Sequence, residues 1–240
     1  MKTIAYIPAR LDSTRFPQKI LKTLHGKTLL EWAWLHAIQS DLFDEVIVLG
    51  DDSRVVEHAK SFGAKGILTS KKPQNGTQRI IEALDHGAPI ADKIVNVQAD
   101  EPMLNKKIFE TLLSGDGRGL RMWTLKKQIQ NIEEVQSKNV VKVVCDHNGE
   151  ALYFSRSPIP YDRDGTAGPY YKHIGLYAYT PESLNKIATL QRCHLEQMES
   201  LEQLTPLYHG IRIQVHETDQ VVHGVDTLED LIHVEKIFQF

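Results

Sequence analysis

Cysteine is scarce in this chain, which carries only Cys145 and Cys193 among its 240 residues. Two cysteines so far apart in sequence suggest neither a disulfide framework nor a zinc site, and we expect both to be small buried side chains. Long apolar runs are missing as well. The sequence therefore predicts no membrane insertion and no signal peptide, which makes the cytoplasm the expected compartment.

An excess of charge of one sign is also missing. The chain has 28 lysine and arginine residues against 31 aspartate and glutamate residues, which gives a formal net charge of −3. This balance argues against nucleic acid or a membrane surface as a partner, because both attract strongly basic proteins. Any anion that the protein binds must therefore be held by a local cluster of cations.

Several common active-site motifs are absent. The sequence contains no Walker phosphate loop, no Gly-x-Gly-x-x-Gly fingerprint and no serine nucleophile elbow. The His-x-x-x-His pair of metalloproteases is missing too, and the 11 histidines are scattered along the chain. The most frequent nucleotide-binding and hydrolase signatures therefore do not apply to this protein.

The most informative segment that is present lies near the N-terminus. An apolar run at residues 4–7 predicts a first strand, and the loop after it carries Arg10, Arg15 and Lys19. Arginine donates paired hydrogen bonds to phosphate, and lysine acts as a compact point charge. Because ligands gather at the carboxyl ends of parallel strands, the loop is a candidate phosphate site. The open alternative is a solvated basic loop.

The first hundred residues alternate between short β-branched runs and longer amphipathic segments. This rhythm predicts a βαβ series, in which a mostly parallel sheet carries helices on both faces. Strands are predicted at residues 4–7, 46–49, 65–68 and 93–97, and helices at residues 28–40, 55–62 and 75–84.

The second half of the chain is less regular. Apolar segments at residues 140–146 and 151–154 flank a turn with Asn148 and Gly149, which predicts a hairpin. No repeat or linker divides the chain, so we predict one domain over residues 1–240, with an inserted hairpin-and-loop region at about 140–180. The other predicted elements are a loop at 156–171, strands at 172–179 and 211–216, and helices at 181–190, 195–204 and 226–240.

Two carboxylates stand at junctions where a ligand can reach them. Asp100 follows the predicted strand 93–97, and Asp226 stands at the start of the last predicted helix, near its N-cap. Mg²⁺ prefers one or two protein carboxylates together with substrate phosphates and water, so this pair is a candidate metal site. The open alternatives are a helix N-cap for Asp226 and a turn residue for Asp100.

A second candidate contact lies at the start of the helix predicted at 75–84. The bare backbone of Gly76 and the helix N-terminus can approach a base or a phosphate, and Arg79 can reach back to it. A simple helix cap at Asn75 is the alternative.

Taken together, these segments resemble the bacterial 3-deoxy-D-manno-octulosonate (Kdo) cytidylyltransferases over nearly the whole chain. The similarity rests on nine short blocks that occur in the family's order. The blocks are Ile-Pro-Ala-Arg at 7–10, Ser-Thr-Arg-Phe-Pro at 13–17 with Lys19, Asn-Gly-Thr-Gln-Arg at 75–79, Asn-Val-Gln-Ala-Asp-Glu-Pro at 96–102, Val-Val-Lys-Val-Val at 140–144, Ala-Leu-Tyr-Phe-Ser-Arg-Ser-Pro-Ile-Pro at 151–160, His-Ile-Gly-Leu-Tyr at 173–177, Leu-Glu at 195–196 with Glu199 and Leu-Glu-Gln-Leu at 201–204, and Gly-Val-Asp-Thr at 224–227.

The resemblance implies a three-layer α/β nucleotidyltransferase fold, Rossmann-like and related to the GT-A fold, with a mixed and mostly parallel sheet. It implies the reaction CTP + Kdo → CMP-Kdo + pyrophosphate, a step in lipopolysaccharide biosynthesis. Mg²⁺ is the implied cofactor, CTP and an acid sugar are the implied partners, and the family is typically homodimeric. Two alternatives stay open: activation of a related acid sugar (amino-Kdo or a nonulosonate), and a homologue that binds CTP with weakened catalysis.

The resemblance also assigns roles residue by residue. Arg156 would bind the sugar's carboxylate and His173 another part of the sugar, although a structural role stays open for both. The catalytic residues would be Arg10, Arg15, Lys19 and Asp100, and the metal ligands Asp100 and Asp226. The nucleotide contacts would be Pro8, Ala9, Arg10, Arg15, Lys19, Asn75, Gly76, Arg79 and Gln98, and the sugar contacts Gln98, Arg156, His173, Tyr177, Glu202 and Gln203.

The chain departs from the family pattern at three positions near these residues. Gln18 stands in a turn where the family has glycine, so we expect a backbone strain of about 1 kcal/mol there. Ala99 adds a methyl group where glycine is usual, and Gln78 replaces an acidic residue.

Overall fold

The computed structural model describes residues 1–13, 16–115, 121–165 and 168–238. The chain forms two compact units. The first comprises residues 1–110 and 221–240, and the second comprises residues 111–220. The single domain that the sequence predicts stays a prediction.

Strands and helices alternate along the described part of the chain. The strands are β1 (Thr3–Ala9), β2 (Thr23–Leu24), β3 (Lys27–Thr28), β4 (Glu45–Gly50), β5 (Lys65–Leu68), β6 (Lys93–Asn96), β7 (Arg121–Gln128), β8 (Lys142–Cys145), β9 (Ala151–Ser155), β10 (Tyr171–Tyr179) and β11 (Arg212–Glu217). The helices are α1 (Leu29–Gln39), α2 (Ser53–Ser61), α3 (Gly76–Asp85), α4 (Lys106–Leu113), α5 (Ile132–Gln136), α6 (Pro181–Ala188), α7 (His194–Glu199), α8 (Leu204–Tyr208) and α9 (Leu228–Ile237), and a 3₁₀ turn covers Lys19–Leu21. None of these helices is both long and apolar enough to cross a bilayer.

The main sheet of the first unit is parallel. Strand β1 pairs with β4 on one side and with β6 on the other, and β5 continues the sheet beyond β4. Every residue of β1 is buried except Pro8, which is half-buried. Such a continuous apolar strand is typical of a parallel sheet that is covered on both faces. The βαβ series and the parallel sheet predicted from the sequence are confirmed.

Side-chain caps determine where the helices of the first unit begin. The Thr28 hydroxyl accepts a hydrogen bond from the Glu31 amide at the start of α1, over 3.2 Å. The Asn75 side-chain oxygen Oδ1 accepts the Gln78 amide in the same way at the start of α3, over 2.9 Å. Helices α1, α2 and α3 therefore begin and end within two residues of their predicted bounds.

The last helix is anchored to the first unit by an apolar cluster. Val225, Val234 and Phe238 pack with Leu24 and Trp32, and all five side chains are buried. The Phe238 ring meets the Trp32 ring edge-on, with 4.8 Å between their centroids. Because Val225 lies in this cluster, the neighbouring residue Asp226 is held in a fixed place at the end of the sheet.

The second unit contains a mixed sheet and a hairpin. Strand β11 runs parallel to β7, whereas β10 runs antiparallel to it. Strands β8 and β9 pair with each other in antiparallel orientation, which confirms the predicted hairpin. Its turn is closed by Asp146, whose Oδ1 accepts the Asn148 and Glu150 amides at 2.8 Å each. The predicted mixed and mostly parallel α/β fold is thus confirmed in its class.

Several elements were not predicted from the sequence, among them the short strands β2 and β3. Helix α4, strand β7 and helix α5 all lie between residues 102 and 140, where the apolar pattern was not assigned. Strand β7 includes Lys126 and Lys127, which interrupt the β-branched pattern that marked the other strands. Helix α5 has only five residues, too few for a helical period to be recognised.

The helix predicted at residues 195–204 is wrong. The structure has two short helices instead, because Ser200 adopts a left-handed backbone conformation, with φ at 53° and ψ at 50°, and ends α7. Glu202 consequently lies between the two helices and Gln203 is the N-cap of α8, not on a shared helix with Glu196 and Glu199. Serine seldom marks such a break in sequence, since glycine and asparagine are the usual residues there.

Candidate active site

The predicted metal carboxylates converge on one lysine in the first unit. Lys19 begins the 3₁₀ turn, and its Nζ donates hydrogen bonds to Asp100 and, over 2.7 Å, to Asp226 Oδ1. The backbone adds a further link, because the Val225 amide donates to the Asp100 carbonyl at 2.9 Å. Residues that are distant in sequence thus form one cluster at the end of β6.

The charge of Lys19 is fixed by this cluster. Burial by itself lowers the pKa of the Lys19 ammonium. The charges of Asp100 and Asp226 and their hydrogen bonds outweigh that effect, so the pKa is raised overall. Lys19 therefore carries a positive charge at every physiological pH.

Glu101 lies next to this cluster with a different protonation state. Burial is the main cause that raises the pKa of Glu101 to about 8, the Asp100 and Asp226 charges add to the increase, and Lys19 opposes it. Its Oε2 atom is covered and has no hydrogen-bond partner among the described residues. At neutral pH Glu101 is therefore mostly an uncharged carboxylic acid.

The two carboxylates of the cluster suit a divalent metal ion. Both carboxylates lie within hydrogen-bonding distance of the Lys19 ammonium, and oxygen is the ligand that Mg²⁺ prefers. Among the described residues, no group of three or more histidine, cysteine, aspartate or glutamate side chains is placed to hold a metal. Asp100 and Asp226 thus form a two-carboxylate cluster, and a magnesium ion held by them stays a prediction.

The basic loop begins directly after β1. Arg10 is exposed, whereas Leu11 is buried and donates its amide hydrogen to Asp51 Oδ1 over 2.8 Å. The predicted phosphate contact Arg15 lies outside the described residues. Of the three predicted phosphate-binding cations, Arg10 and Lys19 lie among the described residues.

Helix α3 approaches the sheet closely at its first residue. A Cβ atom on Gly76 would lie 2.9 Å from Asn96 Nδ2 and 3.3 Å from Pro8 Cγ. Asn96 is fully buried, so it has little room to move. Only glycine fits this contact, which brings two predicted nucleotide contacts, Pro8 and Gly76, next to each other. Ala9 is buried beside Pro8 in β1, while Asn75 and Gln98 are half-buried.

Arg79 is engaged inside the protein. Its Nη1 atom donates to Thr69 Oγ1 at 2.6 Å and to the Ser70 carbonyl at 2.9 Å, and Nη2 lies 3.7 Å from Asp51 Oδ2. Burial lowers the pKa of Arg79, and the positive charge of Arg10 lowers it further, while Asp51 opposes both. These contacts give Arg79 a structural role, and its contact with cytosine stays a prediction.

In the second unit, Arg156 is held by the backbone. Its Nε atom donates to the Glu199 carbonyl at 2.7 Å, and Nη1 donates to the Lys138 carbonyl at 2.9 Å. The Glu199 carboxylate in turn accepts the Arg156 amide at 2.9 Å and the Ser155 hydroxyl at 2.6 Å. The open structural alternative for Arg156 is thus strengthened, and its role toward a sugar carboxylate stays a prediction.

Lys142 ties the same region together. This fully buried lysine donates its Nζ hydrogens to the carbonyls of Ser137, Val140 and Arg156, at 2.9, 2.6 and 2.5 Å. All three ammonium donors therefore have backbone acceptors. Burial lowers the pKa of Lys142, Glu199 raises it and Arg156 lowers it.

His173 is a neutral histidine with a defined tautomer. Burial lowers its pKa to about 3. Thr124 Oγ1 lies 2.9 Å from His173 Nε2, and the same hydroxyl lies within 3.0 Å of the Ile174 and Leu176 carbonyls. Because the hydroxyl gives its only hydrogen to a carbonyl, it must accept from Nε2–H, which leaves Nδ1 as the acceptor nitrogen. His173 thus contributes no positive charge toward an acid sugar.

The other predicted sugar contacts also lie in the second unit. Tyr177 is buried, and its ring centroid lies 5.5 Å from that of His173. Gln203 is 2% exposed, and its Nε2 atom has no hydrogen-bond partner among the described residues. A buried amide without a partner is costly unless a ligand or water completes it, which is consistent with a binding role. Glu202 beside it is half-buried.

Comparison with known proteins now adds to this geometry. A family model described as Cytidylyltransferase matches residues 4–213. The chain is 42% identical to the 3-deoxy-manno-octulosonate cytidylyltransferase of Fusobacterium nucleatum, over 98% of this chain and 96% of that protein. It is 43% identical to the protein of the same name from Solibacter usitatus, over 99% of this chain and 95% of that protein. The chain belongs to the cytidylyltransferase family.

Solved structures agree with this family assignment. The structure of CMP:2-keto-3-deoxy-manno-octonic acid synthetase in complex with CTP matches with a TM-score of 0.93 and 38% identity, over 99% of this chain and 98% of that one. A cytidylyltransferase from Leptospira borgpetersenii shares the fold, with a TM-score of 0.65 at 18% identity, over 100% of this chain and 89% of that one. The resemblance that the sequence motifs carried is thereby confirmed.

Within this cytidylyltransferase, sequence reasoning missed several residues that shape the candidate site. Asp51, Thr124 and Lys142 are buried polar residues that hold Leu11, His173 and Arg156 respectively. Glu199, which received no role from the sequence, is bonded to Ser155 and Arg156. A polar residue at the end of a predicted strand, such as Asp51, is the one signal in the sequence that points to such a role.

Proposed function

We propose that this protein transfers CMP from CTP to Kdo, with release of pyrophosphate, as a step in lipopolysaccharide biosynthesis. The observation that supports it most is the convergence of Lys19, Asp100 and Asp226 in a chain of the cytidylyltransferase family. The named relatives, about 40% identical over nearly the full length, support Kdo as the acceptor.

The reaction requires positioning and charge neutralisation rather than a covalent intermediate. The anomeric hydroxyl of the sugar attacks the α-phosphorus, and pyrophosphate leaves from the opposite side. Arg10, Arg15 and Lys19 would bind the triphosphate and offset the negative charge that builds up on the leaving group. Pro8, Gly76 and their neighbours would hold the nucleoside at the start of α3.

Asp100 and Asp226 would hold a magnesium ion. When bound, Mg²⁺ neutralises phosphate charge and favours ionisation of the attacking hydroxyl. Glu101 beside them, whose pKa is raised to about 8, adds little negative charge of its own at neutral pH.

The acid sugar would be bound by the predicted sugar contacts, among them Gln98, Arg156 and His173. His173, which is neutral, would accept a hydrogen bond from a sugar hydroxyl through Nδ1. The buried Gln203 amide would gain the partner that it lacks among the described residues.

We further propose that the protein is a homodimer in the cytoplasm. Size-exclusion chromatography with light scattering would test the dimer.

Pyrophosphate release tests the proposal directly. The protein is incubated with CTP and Mg²⁺, and Kdo, amino-Kdo and a sialic acid are offered separately. We expect release with Kdo well above the other two sugars. Faster release with amino-Kdo or sialic acid would reassign the substrate, and CTP binding without release for any sugar would indicate a homologue with lost catalysis.

A further inference from the structure

One buried carboxylate next to the basic loop has no role in the proposed reaction so far. Asp51 follows strand β4, and its side chain is only 8% exposed. A buried carboxylate is costly unless its oxygens are hydrogen-bonded or paired with a cation. The partners of Asp51 therefore indicate what its burial achieves.

The first partner is the backbone of the basic loop. Asp51 Oδ1 accepts the Leu11 amide hydrogen at 2.8 Å, and the Asp51 amide donates to the Ala9 carbonyl at 3.3 Å. These two bonds fix the chain on either side of Arg10. Arg10 is exposed, so the backbone on both sides of it is what limits where its side chain can reach.

The second partner is Arg79 in helix α3. Asp51 Oδ2 lies 3.7 Å from Arg79 Nη2, and the Arg79 side chain is only 4% exposed. Glu82 also contributes negative charge near Arg79, but its carboxylate is bonded to Ser70, over 2.5 Å to the amide and 2.7 Å to the hydroxyl. Asp51 is thus the carboxylate that pairs with Arg79 and also contacts the loop.

We propose that Asp51 is a positioning residue that holds the phosphate-binding loop at Arg10 against helix α3, which carries the nucleoside contacts. The Arg79 guanidinium, 3.7 Å from Asp51 Oδ2, offsets its negative charge beside the loop. This inference rests on the proposed function, since it takes CTP as the ligand of the loop.

The adjacent residue Asp52 provides a matched control. Asp52 caps helix α2 by accepting the Arg54 amide at 3.0 Å, and it forms an ion pair with the Arg54 side chain at 2.8 Å. It has no contact with the basic loop among the hydrogen bonds of the described residues. An Asp52→Asn variant changes the same charge one residue away and keeps an effective cap.

Three variants, Asp51→Ala, Asp51→Asn and Asp52→Asn, are compared by steady-state kinetics and by calorimetric titration with CTP. We expect Asp51→Ala to raise the KM and Kd for CTP about 30-fold, because it removes a hydrogen bond and a charge partner. Asp51→Asn keeps an oxygen that accepts from Leu11, so it should raise both constants only about 5-fold. In all three variants kcat and the KM for Kdo should change less than about 3-fold.

The results separate positioning from simple structural support. The inference would be overturned by equal losses of affinity for CTP and Kdo, or by an unchanged Kd for CTP in Asp51→Ala. It would also be overturned if Asp52→Asn weakened CTP binding as much as Asp51→Asn does. If Asp51→Ala does not fold, the comparison of Asp51→Asn with Asp52→Asn decides by the same criteria. A wild-type protein that binds CTP without turnover contradicts the proposed function alone, while one that does not bind CTP contradicts both.

Discussion

At the scale of single residues, Gln18 shows how one departure from the family pattern is accommodated. The turn has the left-handed backbone expected for a family glycine, with φ at 52° and ψ at 37° for Gln18. The side chain is exposed and makes no cap hydrogen bond that would offset the strain. The other departures are milder, since Ala99 has no positive φ and Gln78 Oε1 accepts the Gln74 amide at 2.8 Å.

We therefore expect Gln18→Gly to stabilise the protein. Relief of left-handed strain exceeds the entropy cost of glycine, so the free energy of unfolding should rise by about 0.5–1 kcal/mol. Gln18→Ala keeps the strain and serves as the control, with a change near zero. Urea unfolding measures both, and a Gln18→Gly variant less stable than wild type would contradict the strain at this turn.

A second prediction at this scale concerns Asp100. Asp100→Asn removes one of the two carboxylates that converge on Lys19, so turnover should fall about 100-fold or more. Circular dichroism should show an unchanged fold. The exposed Asp85→Asn at the end of α3 is a matched control and should keep full activity. Near-normal turnover of Asp100→Asn would remove Asp100 from the proposed metal site.

At the scale of elements, the sequence predicted most strands and helices of the first unit because their apolar patterns are simple. The capping residues Thr28 and Asn75 also mark helix starts that can be recognised in the sequence. Strand β7, helix α5 and the break at Ser200 could not be predicted, since tertiary packing rather than a local pattern determines them.

The contact of helix α3 with the sheet gives a prediction at this scale. Gly76→Ala would place a methyl group 2.9 Å from buried Asn96, so we expect a loss of about 1–3 kcal/mol in the free energy of unfolding and weaker CTP binding. Gly168→Ala, where a Cβ atom has no neighbour within 4 Å, is the control and should change neither. Thermal unfolding with and without CTP measures both effects, and a neutral Gly76→Ala would show that α3 can shift.

At the scale of the whole molecule, the predicted residues divide between the two units. The nucleotide and metal residues belong to the first unit, and all predicted sugar residues except Gln98 belong to the second. The sequence allowed Asp100 and Asp226 to be proposed as a pair because both stand at element ends. It gave no sign that Lys19 joins them or that Asp51 holds the loop, because those contacts depend on the folded chain.

Acid sensitivity of the whole molecule should depend on His173. Its pKa of about 3 in the folded state lies below the ordinary value of 6.5, so the unfolded chain binds the proton more readily. Stability contributed by neutral His173 is therefore complete above pH 6.5 and is lost as the pH falls toward 3. Urea unfolding of His173→Asn at pH 7 and pH 5 should show a smaller acid-induced loss than wild type.

The exposed turn residue His147 is the control for this experiment. His147→Asn should keep the wild-type dependence on pH. If His173→Asn loses as much stability as wild type between the two pH values, other groups must account for the acid sensitivity.

Lys142 has a consequence for a chain with only two cysteines, both of them free. Its ammonium joins the carbonyls of Ser137, Val140 and Arg156, so it closes a loop of the second unit as a cross-link would. Unlike a disulfide, this link contains no bond that thiols can reduce. The hairpin region is thus stabilised by hydrogen bonds that form equally in reducing and oxidising surroundings.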